Sequence, residues 1–276
     1  MTRAGHLVWQ PSAGAWTDDT RHGTYARGHR RIAMVGPGSG AVHIGFERGE
    51  LAVGGFIGIC MHTFEKALYV TEGALQVTCE GASVVLPTGG YALVPTGTEH
   101  RLDNIGDAAV RWYEVLTPQP RLQAHWRNTV PVVAAADAAA RLAFGDPRLR
   151  QVGVFDGRLP PKFSLNANIR EASSRMLIDK EAGSAHMNLL VVEFENEGLC
   201  NRHDHPFEEA YVILEGTISA KLEDCEYRLG SGDFAWTGVG VRHTFFCALG
   251  ERVRWLEVQS PQPPSREGMR WHAPWE

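Results

Sequence analysis

The chain carries the same pattern twice, at a constant offset of 143 residues. The segments VRWYEVLTPQP and VRWLEVQSPQP fall at this offset, and about 80 residues align without a gap. The identical positions of the first copy are Gly55, His62, Glu65, Ala67, Glu72, Gly73, Leu86, Gly89, Gly97 and His100, which recur as Gly198, His205, Glu208, Ala210, Glu215, Gly216, Leu229, Gly232, Gly240 and His243. A chain of 276 residues with this repeat is expected to hold two copies of one domain.

Both copies consist of short apolar runs separated by Gly, Pro and Asp. Runs such as ALYVTEGALQVTC and AYVILEGTISAKL are rich in Val, Tyr, Ile and Thr, which is typical of antiparallel strands. Glu72-Gly73 and Glu215-Gly216 lie between two apolar runs, where a hairpin turn is expected. Many short strands at regular spacing indicate an all-β sandwich or barrel in each copy.

The repeat also suggests where the domains end. We predict a first domain over residues 1–121, a linker over 122–165 and a second domain over 166–276. The linker holds VVAAADAAARLAF, the one clear helix candidate, and the first 30 residues are expected to add edge strands or to cover the partner copy. In the Pro-rich tail, Trp271 and Trp275 are expected to pack back onto the protein.

Composition excludes several classes of protein. A net charge of -5 gives no reason to expect nucleic acid or an anionic membrane as partner. No apolar run approaches the length of a membrane span, and the N-terminus lacks the apolar core of a signal peptide. Five cysteines without a CxxC pair suggest reduced thiols. We therefore expect a soluble, cytoplasmic protein that acts on a small molecule.

Four residues of the second copy have the spacing of a metal site. His203 and His205 are two apart, so on a strand they project to the same face, and Glu209 has the same parity. His243 comes from a separate run that must pair nearby. Three imidazoles and one carboxylate suit a divalent Mn, Fe, Ni, Co, Cu or Zn ion and leave room for a substrate. The alternative is that each histidine is a surface residue or a hydrogen-bonded core residue.

These residues also carry a family resemblance. The pattern His203-x-His205-x3-Glu209-x6-Gly216 resembles the first cupin motif, and Gly232-x5-Gly238-x-Gly240-x2-His243 resembles the second. In the first copy, Gly89-x5-Pro95-x-Gly97-x2-His100-x3-Asn104 matches the second motif in full. The resemblance covers both halves and implies a bicupin: two tandem jelly-roll β-barrels joined by a short helical linker, with one metal inside the second barrel. It also implies a homodimer, because cupins commonly pair through their sheets.

The first copy has altered ligands. At the same offset the positions hold Cys60, His62, Lys66 and His100, so that an ammonium, which has no lone pair to donate, replaces the carboxylate. Three interpretations stay open: a degenerate barrel kept for structure, a pocket for a small anion, or a soft-metal site made by the thiol and the two imidazoles. Lys66 is also expected to lower the pKa of the Cys60 thiol.

Alternation predicts which side chains surround the metal. Tyr211 shares the parity of Glu209, and Phe245 shares that of His243, while Trp236 lies on the preceding strand. We interpret Glu209 and Tyr211 as candidate catalytic residues, and Trp236 and Phe245 as walls of a substrate pocket. The alternative is that the aromatic residues are simply barrel core.

Two reaction classes fit such a centre. One is a dioxygenase acting on an enol, hydroxy or carboxylate compound; the other is metal-assisted hydrolysis or lyase chemistry. The overall plan is similar to the (S)-ureidoglycine aminohydrolase family, but among the metal-ligand positions only His205 matches that family's pattern of ligands. A non-catalytic cupin that binds a small ligand is the hypothesis from another class, and a purely structural scaffold is the third.

Overall fold

The computed structural model describes residues 5–11, 14–120, 128–132, 140–144, 146, 151–266 and 268–272. Within these ranges most residues lie in strands, and the only complete helical element is a short 3-10 helix at Gly23–Tyr25. No helix in the described part of the chain is long and apolar enough to cross a membrane.

The strands follow one another in two runs. The first run is β1 (His6–Trp9), β2 (Thr17–Asp18), β3 (Ala26–Val35), β4 (Gly45–His62), β5 (Glu65–Glu72), β6 (Ala74–Cys79), β7 (Ala82–Pro87), β8 (Gly90–Val94), β9 (His100–Asn104), β10 (Val110–Thr117), β11 (Thr129–Pro131), β12 (Ala140–Arg141) and β13 (Val152–Val154). The second run is β14 (Phe163–Leu165), β15 (Ile169–Ile178), β16 (Asn188–Asp204), β17 (Glu208–Leu222), β18 (Cys225–Gly230), β19 (Phe234–Thr237), β20 (His243–Phe246), β21 (Arg252–Ser260) and β22 (Arg270–Trp271).

The two halves use the same strand pairing. In the first half β10 pairs with both β4 and β5, and β9 pairs with β4 and β6. In the second half β21 pairs with β16 and β17, and β20 pairs with the same two strands. Each half encloses a core of its own, one around Trp112 and one around Trp255. The predicted all-β fold of two tandem barrels is confirmed.

The predicted hairpin turns are instead bends, where the chain passes from one set of partner strands to another without folding back on itself. Strand β17 continues through Gly216: its first part pairs with β19 and β21, and its second part with β18 and β20. At Gly216 φ is +80°, and a Cβ built there would lie 1.9 Å from the carbonyl oxygen of Arg252. Only glycine fits this bend. The prediction was wrong because the flanking runs look alike whether they pair with each other or with distant strands.

A third core joins the two barrels. Its residues come from both halves, and the rings of Phe46 and Phe234 meet across it with centroids 4.9 Å apart. Strand β1 belongs to the segment assigned to the first domain, yet it pairs with β19 of the second barrel. The N-terminal segment thus adds an edge strand to the partner copy, as expected. The domain boundaries themselves stay a prediction.

The linker contains strands where the structure describes it. Most of the predicted helix, residues 133–139, lies outside the described residues. Ala140–Arg141, within the last five residues of that sequence, form a short strand that pairs in parallel with β7, so the helix does not extend this far. Strand β13 pairs with β8. At the other end of the chain, the Trp271 ring lies 5.2 Å from that of His203, while Trp275 falls outside the described residues.

Candidate metal centre

Four predicted ligands meet inside the second barrel. His203 lies near the end of β16, His205 follows that strand, Glu209 lies on β17 and His243 begins β20; all four are buried. Ligand nitrogens of the three histidines lie within 4.8 Å of one another. The Oε2 atom of Glu209 is 3.2 Å from Nε2 of His205 and 3.1 Å from Nε2 of His243. The local spacing HxH-x3-E therefore produces a compact cluster.

Each imidazole is oriented by a backbone carbonyl. The Nδ1 contacts are His203 to Asn201 O at 2.7 Å, His205 to Gly268 O at 2.6 Å and His243 to Val241 O at 2.9 Å. A carbonyl oxygen only accepts, so Nδ1 carries the proton in each ring. In a neutral ring Nε2 then presents its lone pair, which is the tautomer that a metal ligand needs.

The resulting arrangement of lone pairs suits a bound cation. The carboxylate Oε2 of Glu209 faces Nε2 of His205 and of His243, and two lone pairs at this distance repel unless a positive charge lies between them. Burial lowers the pKa of His203 well below its ordinary value, so this ring is neutral at physiological pH. Three imidazoles and one carboxylate form a donor set for a divalent transition metal. The residues present therefore fit the metal that the sequence predicts.

Tyr211 adds a proton to this cluster. Its hydroxyl donates a short hydrogen bond to Oε2 of Glu209 and lies 3.2 Å from Nε2 of His243. Burial, followed by the charge of Glu209, raises the pKa of Tyr211 well above its ordinary value, so the hydroxyl keeps its proton. Burial alone would raise the pKa of Glu209, but positive charge on the adjacent imidazoles of His205 and His243 lowers it to about 2, and a cation bound between these groups would act in the same direction. The carboxylate is therefore ionised.

Two neighbours of the cluster were missed by the sequence analysis. Gln259 donates through Nε2 to Glu209 Oε1 at 3.2 Å and to Glu257 Oε1 at 2.8 Å. Trp255 donates to the other oxygen of Glu257 at 2.9 Å. Burial and the charge of Glu209 raise the pKa of Glu257 to about 8. The recurrence of Trp112-x-Glu114 as Trp255-x-Glu257 was a signal that could have identified Glu257. Gln259 has no such signal, because the first copy has Leu116 at its position.

A cavity of about 360 Å³ opens onto the cluster. Tyr211 and Phe245 line it, as predicted from their parity. Trp236 does not, and its assignment to the pocket is corrected. In the sheet Trp236 is paired with Ala210, and both side chains face the core between the barrels. The Trp236 ring nitrogen lies 3.3 Å from Glu208 Oε2.

The first barrel brings its altered residues together as well. Cys60, His62 and His100 are buried, and both imidazole Nε2 atoms lie 3.9 Å from the Cys60 sulfur. The Lys66 ammonium lies 3.2 Å from Oε1 of buried Glu114. Burial raises the pKa of the Cys60 thiol and outweighs the opposite effect of Lys66, contrary to the sequence prediction. The free thiol is therefore a poor nucleophile. Ligand atoms of Cys60, His62 and His100 nevertheless lie within 4.8 Å of one another, so the soft-metal interpretation stays open.

A further group of buried side chains lies in the first half. Ligand atoms of Asp19, His22 and His29 are within 4.8 Å of one another, a grouping that no sequence motif indicated. Both oxygens of Asp19 already accept hydrogen bonds from the Arg21 side chain. The fork of Arg21 thus supplies the positive charge that this carboxylate needs.

Comparison with known proteins gives a family match and a set of similar folds. The family model described as "Cupin domain" matches residues 48–116 and 190–259. No curated protein gives a significant match. The salicylate 1,2-dioxygenase of Pseudaminobacter salicylatoxidans is 13% identical, with 98% of this chain and 88% of that chain covered and a TM-score of 0.72.

Two other solved structures are similar to the same degree. The protein Ylba of E. coli is 15% identical, covers 94% of this chain and 92% of its own, and has a TM-score of 0.66. The oxalate decarboxylase of Lactobacillus farciminis is 14% identical, with 94% of this chain and 86% of that chain covered, and has a TM-score of 0.65. At these identities the similarity concerns the fold alone.

Proposed function

The chain belongs to the cupin family, with one cupin domain in each half, and we propose that it is a metal-dependent enzyme whose reaction takes place in the second barrel. The observation that carries the proposal is the convergence of three oriented imidazoles and the Glu209 carboxylate at a cavity. The first barrel, where Lys66 stands in place of the carboxylate, then has a structural role.

The proposed ligands are His203, His205, Glu209 and His243. A divalent Mn, Fe, Ni, Co, Cu or Zn ion held there would act as a Lewis acid toward substrate oxygens and, where it is redox-active, as an electron relay to dioxygen. We favour dioxygenase-type chemistry on a small enol, hydroxy or carboxylate compound. The ligand set resembles that of cupin dioxygenases, and it also resembles that of oxalate-type decarboxylases. The predicted homodimer is part of the same proposal.

Side chains beside the proposed ligands would supply a proton to the substrate and limit the access of water. The Tyr211 hydroxyl holds a proton against Oε2 of Glu209 and faces the same cavity as the ligands. That proton is the nearest one available to a developing anion on the substrate. Phe245 and Trp255 line the same cavity and would limit the access of water to this position.

Metal analysis of the purified chain tests the proposal. We expect about one equivalent of transition metal per chain, lost in His205→Ala. The matched control is His62→Ala, which removes the corresponding histidine of the first barrel and should leave the metal content unchanged. Full metal occupancy in His205→Ala would overturn the assignment.

Oxygen consumption then separates the reaction classes. The metal-loaded chain should consume dioxygen with a substrate of the proposed type. Product formation without oxygen consumption would instead favour a hydrolase or lyase similar to ureidoglycine aminohydrolase. Saturable binding of a ligand without any product would favour the binding-protein hypothesis.

A further inference from the structure

The cavity beside the metal centre has an unusual charge pattern. Among the described residues that line it there is no arginine or lysine, although it contains the carboxyl groups of Glu209 and Glu257. The pocket of about 610 Å³ in the first barrel is different, because Arg21 and Arg31 line it, where they pair with Asp19 and Glu47. A carboxylate entering the second cavity would therefore find no side-chain cation to pair with.

Strand register explains the difference between the barrels. On β3 and β4, His29 lies opposite Leu51 and Arg31 opposite Gly49. On β15 and β16 the corresponding pairs are Ala172 opposite Phe194 and Ser174 opposite Val192. The second barrel thus has two small side chains where the first has two long, polar ones. The positive charge of Arg31 is therefore absent from the second barrel, where Ser174 occupies its position.

The remaining wall is apolar and largely aromatic. The Trp255 ring lies 5.0 Å from Phe194 and 5.7 Å from Phe245, and Tyr211 packs 5.0 Å from Phe245. Phe163, which is 45% exposed, extends this surface to the outside. Such a wall favours a substrate with an apolar, ring-sized body.

We infer, on the basis of the proposed metal-dependent function, that the substrate is an apolar compound with two chelating oxygens that ionises only once, as an enolised β-dicarbonyl does. A divalent ion and the Glu209 carboxylate together leave one positive charge. A singly ionised chelator neutralises it, whereas a dicarboxylate leaves a buried negative charge that no nearby cation offsets. Oxalate-type substrates are thereby disfavoured in this barrel.

Binding to the full chain loaded with Zn²⁺, which is redox-inert, tests this inference. The probes are benzoylacetone, acetylacetone and oxalate. Calorimetry measures the binding of all three, the enolate absorbance reports the two diketones, and the metal content is measured after each titration. Benzoylacetone should bind about tenfold or more tightly than acetylacetone, because its ring fills the apolar wall. Its affinity should also exceed that of oxalate by about tenfold or more, because oxalate brings an unpaired charge. Equal or tighter binding of oxalate, with zinc retained, would overturn the inference.

One position allows the charge to be restored. Ser174→Arg places a guanidinium where the first barrel has Arg31, and should shift the preference toward oxalate by about tenfold. Ser174→Gln adds bulk without charge and should weaken all three probes without changing their order. An unchanged preference in a folded, zinc-loaded Ser174→Arg chain would count against the charge argument. Failure of the unmodified chain to hold zinc would instead refute the proposed function.

Discussion

At the scale of single residues, one pair of positions has opposite chemistry in the two barrels. Glu114 and Glu257 occupy the same position, and each accepts a hydrogen bond from a tryptophan two residues before it. Burial opposes ionisation of Glu114, but the adjacent Lys66 lowers its pKa to about 2, whereas Glu209 helps to raise the pKa of Glu257 to about 8. The first barrel thus has a lysine, paired with Glu114, at the position where the second barrel has the proposed ligand Glu209.

Lys66→Glu should make the first barrel depend on metal. Two carboxylates would then meet without a cation, which should lower the free energy of unfolding by about 3 kcal/mol. Added Zn²⁺ should restore stability and raise the metal content to about two per chain, because His62 and His100 already converge there. In the control Lys66→Met, zinc should restore nothing. An unchanged stoichiometry in Lys66→Glu would show that Cys60 and the local geometry also block binding.

At the scale of secondary-structure elements, strand β3 and the segment before it deliver polar side chains into the first barrel. His29 stacks on Trp112, with ring planes 11° apart. Burial lowers the pKa of His22 and of His29 to about 4 in each case, although Asp19 acts in the opposite direction. Both imidazoles are therefore neutral in the folded chain at physiological pH.

These histidines make stability depend on pH. Their pKa is about 4 in the folded chain and 6.5 as the ordinary value, so below pH 6.5 the unfolded chain binds more protons and stability falls. Between pH 7.5 and pH 5, each imidazole should lower the free energy of unfolding by about 2 kcal/mol. His29→Phe keeps the stacking on Trp112 but has no group that titrates. In urea titrations this variant should therefore lack the part of the decrease in unfolding free energy that His29 causes. The same pH dependence in both proteins would contradict the prediction.

The sequence predicted the repeated elements better than their environment. Spacing and repetition were sufficient to find the strands and the side chains that converge in each barrel; the role of these side chains as metal ligands stays a prediction. The inward orientation of Tyr211 and Phe245 followed from alternation along a strand. Trp236 was misplaced because alternation gives two faces without saying which one meets the other barrel. The group around His29 was missed because its members pair through distant strands, which no local spacing reveals.

At the scale of the whole molecule, two carboxylates clamp the barrels together reciprocally. Glu208 of the second barrel accepts hydrogen bonds from the backbone N–H groups of residues 42–44 at 2.7 to 3.1 Å. Glu65, its counterpart in the first barrel, accepts from the backbone N–H groups of residues 185 and 186 and from the Ser184 hydroxyl. Both carboxylates are buried. Each barrel thus fixes a loop of the other.

Loss of either clamp should weaken the whole molecule. Glu65→Gln and Glu208→Gln each replace an acceptor oxygen by an amide NH2 that faces backbone donors, at a cost of about 1 to 3 kcal/mol. Because the core between the barrels is continuous, unfolding should remain a single transition in calorimetry. Glu72→Gln, at a carboxylate that is 53% exposed, is the control and should have little effect. Two resolved transitions would show that the barrels unfold independently.

The pairing of β1 with β19 bears on how this chain could be divided. A cut between the halves would leave them interlocked, because the N-terminal fragment carries the strand that completes the edge of the C-terminal one. A C-terminal fragment made alone would present the backbone of Phe234–Thr237 to solvent, where it could recruit strands from other molecules. The molecule is therefore suited to fragment complementation, in which the two halves are made separately and mixed. Metal uptake by the C-terminal half would then measure its association with the N-terminal half.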